Sequence, residues 1–192
     1  MNGIIAITGT PAAGKSMLAD LLRKRCKNAD VIEINDVVKR QKAYSRRDGS
    51  GSLIVDMRKL NRAVRRIVSG NEREGRPTVL VGHLAPELSL RYNIAVVTRA
   101  KLVTLLGRLR KRGYNEEKIR ENIEAEALDY CGEKIRGRCK EIYEVESSKD
   151  KKEVLDYLIS LCGGIRQKRP KENNIDKLGE FYKLVKKGAL KA

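Results

Sequence analysis

Short apolar runs alternate along this chain with longer segments of helical periodicity. The runs have the length of buried strands and occupy residues 4–7, 31–34, 78–81, 94–98 and 142–145. Between them, apolar residues recur every three or four positions, as at Leu60, Val64 and Ile67, which is typical of a helix with one buried face. This alternation predicts an α/β fold, a five-stranded parallel sheet with helices on both faces and a ligand site at the carboxyl ends of the strands.

Three further segments have recognisable local patterns. Residues 44–52 are polar and glycine-rich, which predicts a loop. Asn115 is followed by two glutamates, the pattern of an N-cap with first-turn acids, and predicts one long helix that reaches Cys131 or beyond. Residues 151–161 predict the closing helix, which ends at a pair of glycines.

The first apolar run leads directly into G-x-x-x-x-G-K-S at residues 9–16. Gly9 and Gly14 allow the backbone to curl closely around a phosphate, and the free N–H groups of the following helix attract anions. Lys15 would reach the β- and γ-phosphates, and the Ser16 hydroxyl would ligate magnesium. An accidental match is the alternative, but the motif has the strand before it and the helix after it that a phosphate-binding loop requires.

Length and composition limit the class of protein. The 192 residues suffice for one domain with a modest extension, and a hydrophobic share of 41% supports a true core. No apolar run approaches the roughly 18 residues of a membrane span, so a soluble cytoplasmic protein with no membrane partner is expected. The four cysteines form no C-x-x-C pair and there is one histidine, which argues against a zinc site.

The charge balance favours a polyanionic partner. Lys and Arg number 42 against 25 Asp and Glu, a formal net charge of +17. Tryptophan is absent and there is a single phenylalanine, which argues against a surface that stacks on RNA bases. The composition does not argue against contact with the phosphate backbone of a nucleic acid.

The composition changes near the C-terminus, where residues 163–192 form a basic extension of the domain at 1–162. Residues 164–192 hold nine Lys or Arg against three acids. One apolar helix face is predicted at Ile175, Leu178, Phe181, Tyr182 and Val185. The segment is either a terminal helix docked on the domain or a basic arm for RNA or a ribosomal protein.

Residues 108–126 read R-L-R-K-R-G-Y-N-E-E-K-I-R-E-N-I-E-A-E. With the phosphate-binding loop and the order of strands, this run resembles the P-loop nucleoside monophosphate kinases, and more closely the adenylate kinase isoenzyme 6 family. The resemblance covers residues 1 to about 162 and leaves out the basic tail. It implies a three-layer P-loop kinase fold and phosphoryl transfer from ATP, with Mg²⁺, to AMP or another nucleoside monophosphate. It also implies ATPase activity and a link to maturation of the small ribosomal subunit, through a ribosomal protein or rRNA.

The resemblance also implies a set of nucleotide contacts. Donor phosphates would be held by the backbone of Ala12, Ala13, Gly14, Lys15 and Ser16, with further ATP contacts from Met17, Arg112 and Lys149. Arg108 and Arg112 lie four residues apart on one helical face, so both guanidinium groups can reach the same oxygens. In a lid at about residues 108–120 they would join Lys15 as catalytic residues. The alternative is solvated positive charge on a surface helix.

The acceptor site is expected in the region at about residues 33–56. Its predicted contacts are Asp36, Lys39, Arg40 and Asp56. Adenylate kinases carry G-D-x-x-R after the second strand, whereas this chain reads N-D-V-V-K, so Lys39 stands where the family often has arginine. The α-phosphate would then be shared by Arg40, Arg46 or Arg47. The alternative roles of Asp36 are capping of its helix and ordering of magnesium-bound water.

One departure from the family pattern concerns magnesium. After the third strand the family usually shows an acidic residue, then a second residue and histidine, whereas this chain reads Val81-Gly82-His83. Val81 has no ligand to offer. His83 would contact phosphate or position a water as a catalytic residue, or it is structural.

Two functions from different classes therefore stay open. One is an active nucleoside monophosphate kinase, and the other is an ATP-binding ribosome-assembly factor with slow or vestigial phosphoryl transfer. A kinase for another acceptor, such as a coenzyme A precursor, is less well supported because the Arg-Gly-Tyr run is not the signature of that family.

Overall fold

The computed structural model describes residues 3–47, 53–146, 148–163, 168–171 and 175–190, without the side chains at 148 and 149. The strands are β1 (Ile4–Thr8), β2 (Asp30–Glu33), β3 (Tyr44–Arg47), β4 (Leu53–Val55), β5 (Thr78–Val81), β6 (Tyr92–Thr98) and β7 (Cys139–Val145). Five of them form one parallel sheet in the order β2-β5-β1-β6-β7. The five predicted strands and their parallel pairing are thereby confirmed.

Helices cover both faces of this sheet. They are α1 (Lys15–Arg25), α2 (Ile34–Arg40), α3 (Met57–Arg73), α4 (Leu102–Lys111), α5 (Glu116–Ala127), α6 (Tyr130–Arg136), α7 (Ser148–Cys162) and α8 (Leu178–Lys186). Apolar side chains of α1 and α7 pack on one face, and those of α2, α3 and α6 pack on the other. Alternating residues of each strand feed these two cores, which gives the expected three-layer α/β architecture.

The expected long helix after Asn115 is interrupted, so that prediction was wrong in its length. α5 ends at Ala127, and Asp129 adopts a left-handed conformation with φ 51° before α6 begins. The Asp129 carboxylate lies 2.9 Å from the Arg99 guanidinium. This ion pair requires the Asp129 side chain to point back toward the end of β6. It therefore favours a turn at Asp129 over a continuous helix.

The segment expected as a loop at residues 44–52 begins instead with strand β3, which pairs antiparallel with β4. Residues 48–52 lie outside the described part of the chain. The pairing leaves the backbone of a polar, exposed segment hydrogen-bonded, which is why polarity alone did not reveal the strand.

Helix α8 docks on the domain, as in the first of the two alternatives for the tail. Its Leu184 is buried with side chains of α4 and α5, and Phe181 packs against the same cluster. The predicted apolar face was partly wrong, since Leu178, Tyr182 and Val185 are exposed. Two segments of the tail, 164–167 and 172–174, lie outside the described residues.

A buried lysine anchors α8 to the start of α4. Lys177 is 2% exposed, and its Nζ lies 2.7 Å from Glu146 and 2.9 Å from Glu180. The second carboxylate oxygen of Glu180 accepts a hydrogen bond from the Leu102 N–H, a free donor of the first turn of α4. The tail therefore supports the helix that carries the predicted lid arginines.

Within the described ranges, no helix has the length and apolar character needed to cross a membrane. The same residues contain no group of three or more metal-ligating side chains. The four cysteines are free thiols.

Candidate functional site

A cavity of about 430 Å³ opens at the carboxyl ends of β1, β2 and β5. The phosphate-binding loop and the start of α1 contribute Ala12, Gly14, Lys15, Ser16 and Met17 to its lining. From distant parts of the chain come His83, Arg108 and Arg112. The structure thus brings together most of the residues that the sequence proposed for ATP and for catalysis.

The loop has the backbone shape that its glycines predict. Gly9 and Gly14 have φ values of 135° and 109°, a region that other residues rarely adopt. A Cβ atom on Gly9 would also collide with the Thr98 carbonyl oxygen. Ala13 differs from its predicted role, because it is fully buried, does not line the cavity, and donates its N–H to the Thr10 carbonyl at 3.2 Å. Its amide is already used within the loop.

Lys15 is folded onto the loop that precedes it. Its Nζ donates to the carbonyl oxygens of Gly9 at 2.8 Å and Thr10 at 2.7 Å. Burial lowers the pKa of Lys15 to about 8, a shift that the nearby carboxylate of Glu33 opposes. A phosphate in the cavity would give this ammonium group a stronger partner than the two carbonyls.

Arg108 and Arg112, the arginines predicted for a lid, face the loop. Arg108 Nη1 donates to the Ala12 carbonyl at 3.0 Å, and Arg112 lines the same cavity one helical turn later. Lys15 and Lys151 bring the number of Lys and Arg side chains in the lining to four. This concentration of positive charge in a concave site favours a ligand with several anionic oxygens over the alternative of a solvated basic surface.

His83 is the histidine that lines the cavity. Desolvation in the cavity lowers its pKa to about 4, and the positive charges of Lys15 and Lys118 act in the same direction. The His83 side chain is nevertheless exposed to solvent. A neutral imidazole can donate or accept one hydrogen bond to a phosphate or a water, but it brings no charge.

The predicted acceptor contacts lie outside the cavity lining. Asp36, Lys39 and Arg40 are exposed on α2, and the Asp36 side chain does not cap that helix. Asp56 Oδ1 caps α3 by accepting from the N–H groups of Arg58 and Lys59, both at 3.0 Å. Asp56 is thus the N-cap of α3, a structural role that the sequence alone did not distinguish.

The predicted contact Lys149 has a side chain outside the described residues, and Lys151 lines the cavity instead. Lys151 Nζ lies 3.7 Å from where a Cβ on Gly14 would be. Desolvation and the charge of Arg108 lower the pKa of Lys151. The sequence placed the start of this helix at residue 151, whereas α7 begins at Ser148.

Sequence reasoning did not name Glu33, the last residue of β2, or Asn35, in the first turn of α2, as a site residue, although both line the cavity. Glu33 pairs in register with Val81 of β5. Its Oε1 lies 3.3 Å from Arg23 of α1. The signal was an acidic residue at the carboxyl end of a strand, the edge at which ligands bind in this kind of sheet.

A buried ionic cluster joins the loop to α5. Thr10 Oγ1 donates to Glu126, and the same carboxylate accepts from Arg99 Nε and from the Ala100 N–H, both at 3.0 Å. Arg99 also lies 2.9 Å from Glu144 of β7. Because these charged groups are almost completely buried, they fix the position of the loop relative to α5.

Comparisons with known proteins show the family to which the chain is similar. A family model described as an AAA domain matches residues 5–129. The chain is 32% identical over 180 residues to a protein of Methanocaldococcus jannaschii named "Putative adenylate kinase", covering 93% of this chain and 94% of that protein. A protein of the same name from Methanococcus maripaludis is 34% identical over 190 residues, with coverage of 95% and 99%.

A solved structure shows the same fold. Shikimate kinase from Acinetobacter baumannii superimposes with a TM-score of 0.52 at 10% identity, over 86% of this chain and 96% of that one. At this identity the likeness concerns the fold alone, a P-loop kinase fold. With the family model and the archaeal relatives, it follows that the chain belongs to the P-loop nucleoside monophosphate kinase family that includes these archaeal putative adenylate kinases.

Proposed function

We propose that the protein is an adenylate kinase of the isoenzyme 6 type, which transfers a phosphoryl group from ATP to AMP and hydrolyses ATP slowly. The observation that carries the proposal is the convergence of Lys15, Arg108 and Arg112 on one anion-binding cavity. Phosphoryl transfer requires mainly positioning and stabilisation of charge on the transferring group, and these three cations supply both.

The residues present fit a magnesium ion. The exposed Ser16 hydroxyl and the Glu33 carboxylate are hard oxygen donors that share one cavity with the phosphate-binding loop. Magnesium in kinase sites is held by one or two protein oxygens together with phosphates and water, so a cluster of several carboxylates is not needed. When bound, the ion would neutralise phosphate charge. We assign the acceptor region to residues 33–56, the lid to residues 108–120 and a basic extension to residues 163–192.

The proposal is tested by a coupled assay with ATP, Mg²⁺ and each nucleoside monophosphate in turn. ADP formation is expected to be fastest with AMP and well above the rate with ATP alone. A rate with every monophosphate equal to the rate with ATP alone would contradict the kinase function. ATP hydrolysis that persists in that case would favour the second function.

A second function, that of a cytoplasmic nucleotide-dependent ribosome-assembly factor, is favoured by the outer face of α3. This helix carries exposed Arg58, Lys59, Arg62, Arg65, Arg66 and Arg73, opposite its buried apolar stripe. Four of these side chains line a shallow cavity of about 530 Å³. Among the described residues, Arg62, Arg66 and Arg73 have no ion-pair partner. Such a surface fits the backbone of rRNA, which attracts unpaired arginines by charge.

Binding of small ribosomal subunits should depend on this face and on salt. Reversing the charge of Arg62 and Arg66 to glutamate is expected to weaken binding and to lower the slope of log affinity against log salt by about one unit per lost phosphate contact. The matched control reverses Lys183 and Lys186, which are exposed on α8. Equal losses in both variants would mean that binding reflects net charge alone and would contradict a specific α3 surface.

A further inference from the structure

Glu33 lies at the carboxyl edge of the sheet, beside Val81, the position at which the family usually has an acidic residue. Glu33 and Val81 are register partners at the ends of β2 and β5. Neighbouring strands lie about 4.8 Å apart, and paired residues of parallel strands project to the same face of the sheet. Glu33 is therefore a lateral neighbour of position 81, one strand away.

Packing shows which face this is. Val31 and Val81 both pack in the core beneath α1, whereas Ile32 packs in the core on the opposite face. By alternation along β2, Glu33 lies on the α1 face, as its ion pair with Arg23 of α1 confirms. Ser16 belongs to the first turn of α1, so the hydroxyl and the Glu33 carboxylate meet the same cavity from the same side.

The ion pair with Arg23 does not by itself explain why a glutamate occupies position 33. Only Oε1 contacts Arg23, at 3.3 Å, and among the described residues no ion pair involves Oε2. Arg23 is partly exposed and also contacts Asp20 at 2.6 Å. Partly exposed pairs of this kind contribute little to stability, which leaves the cavity as the environment that favours a carboxylate here.

We propose that Glu33 supplies, from the neighbouring strand, the magnesium-site carboxylate that Val81 cannot provide. The Glu33 side chain is one methylene longer than the aspartate it would replace, which helps it to cover the lateral displacement. Its oxygens would accept hydrogen bonds from magnesium-bound water or bind the ion, while Ser16 acts from α1. This inference rests on the proposed function, since it assumes that the cavity takes a nucleotide with its metal.

The test measures metal binding and not turnover. Calorimetry with a non-hydrolysable ATP analogue, with and without Mg²⁺, gives the apparent Mg²⁺ affinity of the complex. Glu33→Gln is expected to lower this affinity about 10- to 100-fold, the usual effect of losing a residue that supports a metal site. Analogue affinity in the presence of a chelator should stay unchanged or rise slightly, because one negative charge is removed from an anion site.

Two further variants test whether the loss of Mg²⁺ affinity is specific to the Glu33 carboxylate or follows from the removal of any negative charge. Glu153→Gln, which neutralises an exposed carboxylate on α7 outside the cavity, is expected to bind Mg²⁺ like the unmodified protein. Val81→Asp in the Glu33→Gln background should restore Mg²⁺ affinity. If that buried aspartate prevents folding, Glu33→Asp alone is measured, and it should retain more Mg²⁺ affinity than Glu33→Gln.

The outcomes are distinct. Unchanged Mg²⁺ affinity in Glu33→Gln would overturn the role of Glu33 while leaving the kinase proposal in place. Loss of affinity that a folded Val81→Asp double variant does not restore would overturn the claim that Glu33 replaces position 81. A protein that binds no ATP analogue with or without metal would overturn the inference and the proposed function together.

Discussion

Replacing Lys15 with alanine is expected to lower kcat/KM for ADP formation by about 100- to 1,000-fold, the usual effect of removing one group that stabilises transition-state charge. Lys15 is the phosphate-binding lysine of the loop, and its Nζ already lies within the cavity. Lys24→Ala, on the exposed side of the same helix, removes the same charge away from the cavity and should change kcat/KM little.

The same lysine predicts a pH dependence of ATP binding. Burial lowers the pKa of Lys15 in the free protein to about 8, and bound phosphate raises it again because phosphate favours the charged form. ATP affinity should therefore fall as pH rises above about 8, by up to about tenfold per pH unit while one proton is taken up on binding. Lys15→Ala should show no such fall, and Lys24→Ala should show it fully.

These results together test whether Lys15 acts by its charge. A Lys15→Ala protein with unchanged kcat/KM would show that the cavity is not the site of phosphoryl transfer. A large loss of activity with the pH dependence of ATP binding intact would assign that dependence to another group, and Lys151 is the next candidate because its pKa is also lowered.

The features that the sequence predicted well depend on residues that lie close together in the chain. The strand, loop and first helix around residues 9–16 follow from apolar length and glycine placement, both of which act over a few residues. The meeting of Arg108 with the loop came from a family resemblance, because periodicity places both arginines on one face of α4 but does not say what that face contacts. The fold class followed from the alternation of strands and helices.

What the sequence did not predict depends on contacts between distant segments. Glu33 and Val81 are neighbours only because β2 pairs with β5, and nothing in either segment defines that register. The end of α5 depends on Asp129, whose left-handed turn is stabilised by an arginine thirty positions earlier in the chain. The tail allowed two alternatives because its buried lysine, Lys177, resembles any basic surface residue until its carboxylate partners are known.

The buried ionic cluster leads to the prediction with the largest effect on stability. Arg99 is 1% exposed and contacts the carboxylates of Glu126, Asp129 and Glu144. Arg99→Ala leaves these buried carboxylates without their central partner, so the free energy of unfolding should fall by about 3–5 kcal/mol. Denaturant unfolding monitored by circular dichroism measures this change. ATP affinity should fall as well, because Glu126 holds Thr10 of the phosphate-binding loop.

Arg136→Ala is the matched control, because Arg136 approaches Asp129 and Glu144 from the partly exposed side at 3.3 Å and 3.4 Å. Its loss should cost about 1 kcal/mol or less, as is usual for solvent-accessible pairs. Arg99→Lys keeps the charge but loses the planar fork that serves three carboxylates, so its stability should lie between the other two. Equal stability of the Arg99→Ala and Arg136→Ala proteins would mean that the burial of Arg99 does not increase its contribution to the free energy of unfolding. The position of the phosphate-binding loop would then depend on other contacts. The expected order instead makes the cluster the element that holds the phosphate-binding loop and α5 in one fixed arrangement.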